Sequence, residues 1–417
     1  MTYSCRTPFV PQALGHIDDR VTGNDQVGTI TTNRLHGRGK LRRLRTGLSL
    51  ACLLAAALPT IAPAQVRPAA PAKARNVILF LGDAGGVSTI SAAGILANDR
   101  PQSLFIQSMP HVALSDTSSL NRWVTDSGAG MTAIMTGHKT NSAMVSAIPA
   151  ASGDGVTPVK TLLEYAEQQG RSTGVVTNMK IWDATPAACY AHVGARKDKD
   201  EIFRQMLAPR FGDGVDILVG KGMADATASF AARGTTAQQA FAKAGYRFGE
   251  DPALLAQPGR AAILRDTDFA PLPAVEATVK QLARNPKGYF LMVEWDMHTD
   301  DPKAGLRHVI EMDDMIRRIK AVAGDDTLIL FTADHSFALR MGGGERGKPL
   351  AAQYAAEAAK PGVTDATNKV ISVQDGHTGE EVIVAASGPG AEAVHGFMPN
   401  TRLFGIMMTT LGLKPDA

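Results

Sequence analysis

Continuous apolar runs alternate with helical segments along most of the chain. The runs cover residues 76–83, 174–177, 215–219, 289–294, 327–332 and 381–386, and helical spacing falls at 159–169, 199–207, 274–284 and 305–322. Short uninterrupted runs are typical of strands buried on both faces of a parallel sheet. The alternation predicts an α/β fold, with a doubly wound, mostly parallel central sheet and helices on both faces. The Gly- and Ala-rich stretch 340–369 is predicted to form loops or a small excursion.

The N-terminal part of the chain is predicted to lie outside this fold. A cluster of basic residues precedes an apolar run at 48–58, and the small-residue pattern Ala62-Pro63-Ala64 follows it. This order is typical of a secretory signal, and the apolar run is too short to span a bilayer. We therefore predict an N-terminal extension with a signal peptide (1–64), a linker (65–75) and a single domain (76–417). The mature protein would be periplasmic or secreted, with no transmembrane segment.

Charge and cysteine content narrow the classes of function. Residues 1–64 carry eight Lys/Arg and three Asp/Glu, a surplus of five positive charges. This surplus exceeds the net charge of +3 of the whole chain, so the rest of the chain is slightly acidic. A slightly acidic domain gives no support for a nucleic-acid partner. Cys189 is the single cysteine after residue 64, so the exported chain would have no internal disulfide. Cys189 is predicted to be a small buried residue.

Acids and histidines stand beside the apolar runs, mostly at their carboxyl ends, where open α/β sheets bind ligands. They are Asp83 after the first run, Glu294, Asp296 and His298 at the fourth, Asp334 and His335 after the fifth, and His377 before the sixth. Carboxylates and imidazoles in one crevice repel or compete for protons unless cations neutralise them. Mixed nitrogen and oxygen ligands suit zinc, and oxygen ligands suit magnesium. The pattern therefore predicts a site for several metal ions.

Ser127 is the candidate nucleophile. It follows Asp126 and precedes a small-residue run that can be helical. A serine at a helix start lies beside free N–H groups at the positive end of the helix dipole, a place that suits phosphate. On this stretch alone, a helix cap is the favoured interpretation of the serine. The strand-end acids and histidines favour the nucleophile.

These residues stand in motifs that resemble the alkaline phosphatase family along nearly all of residues 76–413. The motifs are residues 76–86 with Asp83, Thr125-Asp126-Ser127, Asp183-Ala184-Thr185-Pro186-Ala187-Ala188, Ala191-His192-Val193-Gly194-Ala195-Arg196, Thr332-Ala333-Asp334-His335 and His377-Thr378-Gly379. The resemblance implies an exported enzyme that hydrolyses small-molecule phosphate monoesters through a phosphoserine intermediate. It also implies a site for two Zn²⁺ and one Mg²⁺. The chain lacks room for large accessory domains, so it is predicted to be a monomer or a homodimer.

The resemblance also implies a role for each matching residue. Asp83 would bridge the second zinc and the magnesium, Asp334, His335 and Ser127 would ligate the second zinc, and His377 would ligate the first. Thr185 and Glu294 would complete the magnesium set, and Asp183 would hold the waters of this ion. Arg196 would clamp two phosphate oxygens, and Asp126 is predicted to orient Arg196.

One segment departs from the family's pattern. In that pattern a metal-binding acid and a histidine stand four residues apart, several residues beyond the glutamate. The segment Glu294-Trp295-Asp296-Met297-His298 is shorter. His298 is the matching histidine, because the following Asp301-Pro302 resembles the family's continuation. Asp296 is predicted to be the acid of the first zinc site, with Asp300 or Glu294 as alternatives.

Several alternatives stay open at this point. The same fold could serve a phosphodiesterase, although Glu294 and Thr185 favour a monoesterase. The chain could instead bind phosphate or metal without turnover, but the pairing of Ser127 with Arg196 argues against this. Arg196 could simply form a surface ion pair with the acids at positions 198 and 200. Among the other histidines, His192 is predicted to be a core residue or to lie behind the site ligands, and His308 is the best candidate for a further role.

Overall fold

The computed structural model describes residues 73–416. The predicted extension and signal peptide (1–64) and most of the linker (65–75) lie outside the described residues, so this division stays a prediction. The strands are β1 (Asn76–Asp83), β2 (His111–Asp116), β3 (Ala147–Pro149), β4 (Val156–Pro158), β5 (Ser172–Lys180), β6 (Ile217–Lys221), β7 (Arg247–Gly249), β8 (Ala261–Arg265), β9 (Tyr289–Asp296), β10 (Thr327–Thr332), β11 (Ser336–Met341), β12 (Ile371–Thr378), β13 (Val382–Ser387) and β14 (Gly396–Pro399).

The α-helices are α1 (Val87–Asn98), α2 (Ser127–Thr136), α3 (Leu162–Gln168), α4 (Ala184–Ala187), α5 (Lys199–Met206), α6 (Met223–Ala231), α7 (Ala237–Lys243), α8 (Pro271–Leu282), α9 (Pro302–Val322), α10 (Leu350–Ala358) and α11 (Thr401–Leu411). Short 3₁₀ helices cover Ile106–Ser108, Pro252–Ala256, Asp365–Thr367 and Ala391–Ala393. No described helix has the length and the apolar character that a membrane span requires.

Ten strands form the central sheet, in the order β14-β2-β13-β10-β1-β9-β5-β6-β8-β7. All are parallel except β13, which is antiparallel to both of its neighbours. The predicted α/β fold with a mostly parallel sheet is therefore confirmed. The sequence pattern did not indicate which strand departs from the parallel arrangement, and the structure shows that it is β13. The two-stranded antiparallel sheet of β11 and β12 follows β10 and leads into β13 at the same edge of the central sheet, so the chain re-enters that sheet in the opposite direction.

The central strands show why their sequences are continuously apolar. All eight residues of β1 are buried. Val77 and Leu79 pack into the core on one face of the sheet, whereas Ile78 and Phe80 pack into the core on the other. Successive side chains of a strand point to opposite faces, so a strand covered on both faces is apolar at every position. This covered strand delivers Asp83 to the carboxyl edge of the sheet.

Two local predictions need correction. The stretch 340–369, predicted to form loops or a small excursion, contains the helix α10, because its alanine-rich sequence has high helix propensity. The predicted helix at 305–322 begins earlier, at Pro302, with Asp301 as its cap. Proline is favoured in the first helical turn because no intrahelical partner is lost there. Cys189 is fully buried, as predicted.

Candidate active site

Ser127 is the first residue of α2, and Asp126 caps this helix. The Asp126 carboxylate accepts a hydrogen bond from the backbone N–H of Ala129. The capping interpretation of Ser127 is therefore replaced, because the neighbouring acid has that role. The small residues of α2 allow a close approach to the sheet: an ideal Cβ atom at Gly130 would lie 2.6 Å from the carbonyl oxygen of Asp334. This approach carries the start of α2 to the edge where Asp334 lies.

The Ser127 hydroxyl points at two of the predicted metal ligands. Its Oγ lies 3.2 Å from His335 Nε2 and 3.5 Å from Asp83 Oδ1. All three side chains are almost completely buried. The serine is 44 residues from Asp83 and 208 residues from His335 along the chain, so only the fold brings these groups together. The arrangement holds the hydroxyl against one carboxylate and one imidazole.

Three histidines converge beside this serine. His298, His335 and His377 each have one ring nitrogen that lies within 4.8 Å of the corresponding nitrogen of the other two. The Nδ1 atoms of His377 and His335 face backbone carbonyl oxygens, of Thr125 at 3.0 Å and of Ser336 at 3.2 Å. A carbonyl can only accept, so each Nδ1 donates a proton and leaves Nε2 free as a metal ligand.

A second cluster combines oxygen and nitrogen donors. Asp83, Asp334 and His335 each offer one ligand atom within the same 4.8 Å limit. His335 Nε2 lies 3.3 Å from Asp83 Oδ1 and 3.5 Å from Asp334 Oδ2. Asp334 Oδ1 accepts the backbone N–H groups of Ala84 and His335, whereas Asp334 Oδ2 is buried with no hydrogen-bond partner. One oxygen therefore fixes the carboxylate and the other is available to a cation.

Glu294 carries the third set of oxygens. It is fully buried on β9, and its Oε2 accepts the hydroxyl of Thr177, which faces it in register on β5. Its Oε1 is buried without a partner. Burial and the nearby Asp83 carboxylate raise the pKa of Glu294 well above its ordinary value, while the hydroxyls of Thr177 and Thr185 oppose this rise. A buried carboxylate surrounded by hydroxyls suits a hard cation.

Arg196 is held between two carboxylates. Its two terminal nitrogens lie 2.9 Å from Asp126 Oδ2 and 3.0 Å from Asp183 Oδ1. The alternative ion pair with the acids at 198 and 200 is not formed, because Asp198 caps α5 instead. The two partners themselves are anchored: the backbone N–H of Ala143 donates to Asp126, and Asp183 caps α4. The guanidinium plane is thus fixed from both ends.

The charges of the cluster are unbalanced in a way that favours cations. Burial and the charge of Asp83 raise the pKa of Asp334 to about 6. Burial lowers the pKa of His298, but the Asp83 and Asp296 carboxylates outweigh it and raise that pKa to about 10. Burial raises the pKa of Asp83, but His298 and His335 outweigh it and lower that pKa. Several buried carboxylates here compete for positive charge, which protons or metal ions can supply.

Asp296 and Asp300, the two candidate acids of the shortened segment, occupy different surroundings. Asp296 Oδ1 lies 2.8 Å from His298 Nδ1 and 3.0 Å from the His298 backbone nitrogen. Asp296 belongs to neither of the two donor clusters found among the described residues. Asp300 is exposed. The choice of Asp296 before Asp300 as the acid of the first zinc site remains a prediction.

Some functional contacts were not predicted. Thr177 donates to Glu294, and Asn178 Oδ1 accepts the backbone N–H of Asp296 at 2.9 Å. Thr177 ends the apolar run 174–177 and Asn178 follows it directly, and this position was the available signal, but neither residue is charged. His308 was identified as the best further candidate, and its Nδ1 lies 2.6 Å from the Asp296 carbonyl oxygen. His192 is buried against Glu164, which agrees with the prediction of a core residue.

Comparison with known proteins identifies what this arrangement is similar to. The family model described as alkaline phosphatase matches residues 74–225 and 260–373. The streptomycin-6-phosphate phosphatase of Streptomyces griseus is 30% identical, over 88% of this chain and 97% of that protein. The tissue-nonspecific alkaline phosphatase isozyme of Felis catus is 30% identical, and the match spans 64% of each chain.

A solved structure supports the same fold. A variant of the alkaline phosphatase from the Antarctic bacterium TAB5, with Mg bound in its M3 site, aligns with a TM-score of 0.68. The alignment covers 83% of this chain and 100% of that one, at 23% sequence identity. At this identity the likeness concerns the fold.

Proposed function

The chain belongs to the alkaline phosphatase family, and we propose that it hydrolyses phosphate monoesters through a phosphoserine intermediate on Ser127. The observation that carries the proposal is the placement of the Ser127 hydroxyl against His335 and Asp83, at the start of a helix. A helix N-terminus favours a phosphate group through its N–H groups and its dipole. A buried serine in this position can therefore meet the phosphorus atom of a bound ester.

Two Zn²⁺ and one Mg²⁺ are the cofactors in this proposal. The residues fit them, because the buried Asp334 Oδ2 and Glu294 Oε1 lack partners and would be costly without a cation. His298 and His377 would hold the first zinc, and Asp296 lies beside His298. The second zinc would be held by Asp83, Asp334, His335 and Ser127. The magnesium would be held by Asp83, Asp183, Thr185 and Glu294. The Mg-bound TAB5 variant supports the magnesium part. When bound, the cations would lower the pKa of the serine hydroxyl and neutralise charge on the reacting oxygens.

The residues of the chain account for two chemical steps. Ser127 Oγ attacks phosphorus, the bond between phosphorus and the ester oxygen breaks, and the alcohol departs with the proton of the serine. Water then attacks the phosphoserine and restores the hydroxyl, releasing inorganic phosphate. Arg196 has five N–H donors and gives one to each of Asp126 and Asp183, so three remain for phosphate oxygens. Its planar fork matches the charge and shape of phosphate.

The test is a hydrolysis assay with purified protein on p-nitrophenyl phosphate and bis-p-nitrophenyl phosphate. We expect the monoester to be cleaved faster, a chelator to abolish the activity, and zinc with magnesium to restore it. Faster cleavage of the diester would instead favour the phosphodiesterase alternative. No turnover of either ester by metal-loaded protein would favour phosphate or metal binding alone. Streptomycin 6-phosphate, taken from the name of the Streptomyces griseus relative, belongs in the same panel.

The proposal includes export to the periplasm or the medium. It depends on the signal predicted within residues 1–64, and cell fractionation with the intact chain tests it. Recovery of unprocessed active protein in the cytoplasm would contradict export. Both a monomer and a homodimer remain compatible with the chain, and light scattering distinguishes them.

A further inference from the structure

We propose that Asp296 positions His298 for the first zinc and does not ligate that zinc itself. This inference deepens the proposed function, because it rests on the metal site described there. Asp296 Oδ1 accepts both the backbone N–H of His298 and its ring Nδ1–H, at 3.0 and 2.8 Å. One oxygen therefore fixes both the backbone and the ring of the histidine two residues later.

The two ring nitrogens of His298 have different kinds of neighbour: Nε2 lies at the distance of a second zinc ligand, and Nδ1 lies at the distance of a hydrogen-bond acceptor. His298 Nε2 lies 3.5 Å from His377 Nε2. Two nitrogens about 2.0–2.1 Å from one tetrahedral zinc lie roughly 3.3–3.4 Å apart, which is close to this separation. The 2.8 Å between His298 Nδ1 and Asp296 Oδ1 instead matches a charge-assisted hydrogen bond, typically about 2.7–2.9 Å. The ring thus directs Nε2 to the metal and Nδ1 to the carboxylate.

The other two histidines support this division of the ring. His377 and His335 also turn Nδ1 to an oxygen and leave Nε2 for the metal cluster, but their acceptors are the backbone carbonyls of Thr125 and Ser336. His298 is the member of this group whose Nδ1 acceptor is a carboxylate. A carboxylate acceptor fixes the tautomer and makes the imidazole a more basic ligand.

The short segment explains why Asp296 takes this position. Asp296 is the last residue of β9, and its Oδ1 accepts the backbone N–H two residues on, as in an Asx turn, which places the carboxylate against the ring of His298. The backbone of Asp296 is held on both sides, since its N–H donates to Asn178 Oδ1 and its carbonyl accepts from His308 Nδ1. Its position opposite Asp83 in the sheet register fixes it further. The first site then depends on histidine nitrogens, with Asp296 acting through one of them.

Zinc binding to the full chain tests this without substrate. The variants are Asp296→Asn, which keeps an oxygen acceptor, Asp296→Ala, which removes it, His298→Ala as the ligand-loss reference, and Asp300→Asn as an exposed acid control. Zinc stoichiometry at saturation and affinity by competition with a chromophoric chelator are measured. The absorption spectrum of the Co²⁺-substituted protein reports on coordination.

We expect both Asp296 variants to bind as many zinc ions at saturation as the wild type, with an unchanged Co²⁺ spectrum. Asp296→Ala should weaken one site by about 10- to 100-fold, the range typical of residues behind a metal ligand, and Asp296→Asn should weaken it less. Loss of one zinc at saturation in Asp296→Asn, or a Co²⁺ spectrum like that of His298→Ala, would overturn the inference. A wild type that binds zinc but cleaves no phosphate ester would overturn the proposed function alone.

Discussion

Asp126→Asn tests whether the phosphate clamp depends on the acid next to the nucleophile. Asp126 Oδ2 lies 2.9 Å from one terminal nitrogen of Arg196, while Oδ1 accepts the backbone N–H of Ala143 at 2.8 Å. An asparagine can keep one oxygen for the backbone contact, but it presents no charge to the guanidinium. Asp183 still holds the other terminal nitrogen of Arg196. The substitution therefore loosens the clamp at one of its two ends.

The magnitude follows from the burial of the pair. A hydrogen bond to a charged group contributes about 1.5–3 kcal/mol when it is well shielded. The side chains of Arg196 and Asp126 are 23% and 17% exposed, so solvent screens part of this energy. We expect about 1–2 kcal/mol, which corresponds to a roughly 5- to 30-fold weaker binding of phosphate. The inhibition constant of inorganic phosphate should rise by this factor, and the KM for an aryl phosphate should rise with it.

A double-mutant cycle decides whether Asp126 acts through Arg196. Inhibition by inorganic phosphate is measured for Asp126→Asn, Arg196→Ala and the double variant. If Asp126 acts only through Arg196, the double variant should match Arg196→Ala. Asp198→Asn is the control, because asparagine can also cap α5 and should leave inhibition unchanged. An equal effect of Asp126→Asn with and without Arg196 would refute the reasoning.

Three further predictions follow from the same structure. Ser127→Ala should lose at least about a thousandfold in turnover, in the range seen when a nucleophile is removed, yet retain most of its zinc; near-normal turnover of an aryl phosphate would show that another group attacks phosphorus. Gly130→Ala should lower the melting temperature despite the helix propensity of alanine, because the added Cβ would lie 2.6 Å from the Asp334 carbonyl oxygen. Gly405→Ala in α11 is the control: a Cβ there meets nothing within 4 Å, so its melting temperature should be unchanged or higher. Burial raises the pKa of Glu167 to about 8 from its ordinary 4.5, so the folded state keeps its proton between these values while the unfolded chain loses it, and stability falls as the pH rises through this window. Glu167→Gln should therefore gain stability relative to the wild type from pH 5 to pH 8, by at most about 3–5 kcal/mol; an equal difference in urea unfolding at both pH values would contradict the assignment.

The central sheet could be predicted from the sequence, and so could the acids and histidines that meet at its carboxyl edge, because both depend on local pattern. Strands covered on both faces are apolar at each position, so β1 and β10 were predicted with the bounds that the structure has. Acids at the ends of such strands have few structural reasons to be there. The direction of β13 was not predictable in this way, because it depends on where the preceding two-stranded sheet of β11 and β12 leaves the chain.

Side-chain partners were harder to predict, because they are set by contacts between distant segments. Arg196 lies 70 residues from Asp126 and 13 from Asp183 along the chain. The sequence shows acids nearer to the arginine, at positions 198 and 200, but Asp198 is used as a helix cap. Likewise, the spacing of Asp296 and His298 indicated that both belong to the site, but not that the carboxylate faces Nδ1 of the ring. A hydroxyl such as that of Thr177 carries no charge and gives little signal in one sequence.

The nucleophile and the clamp share one side chain, and this links their geometries. Asp126 caps the helix that begins with Ser127 through Oδ1, and it holds Arg196 through Oδ2. A rotation of its carboxylate would therefore shift both the start of α2 and the guanidinium. Asparagine at this position keeps the cap, whereas alanine loses both contacts, and loss of a cap costs about 0.5–2 kcal/mol. A lower thermal stability of Asp126→Ala than of Asp126→Asn, with similar phosphate inhibition, would show that the two oxygens have separable roles.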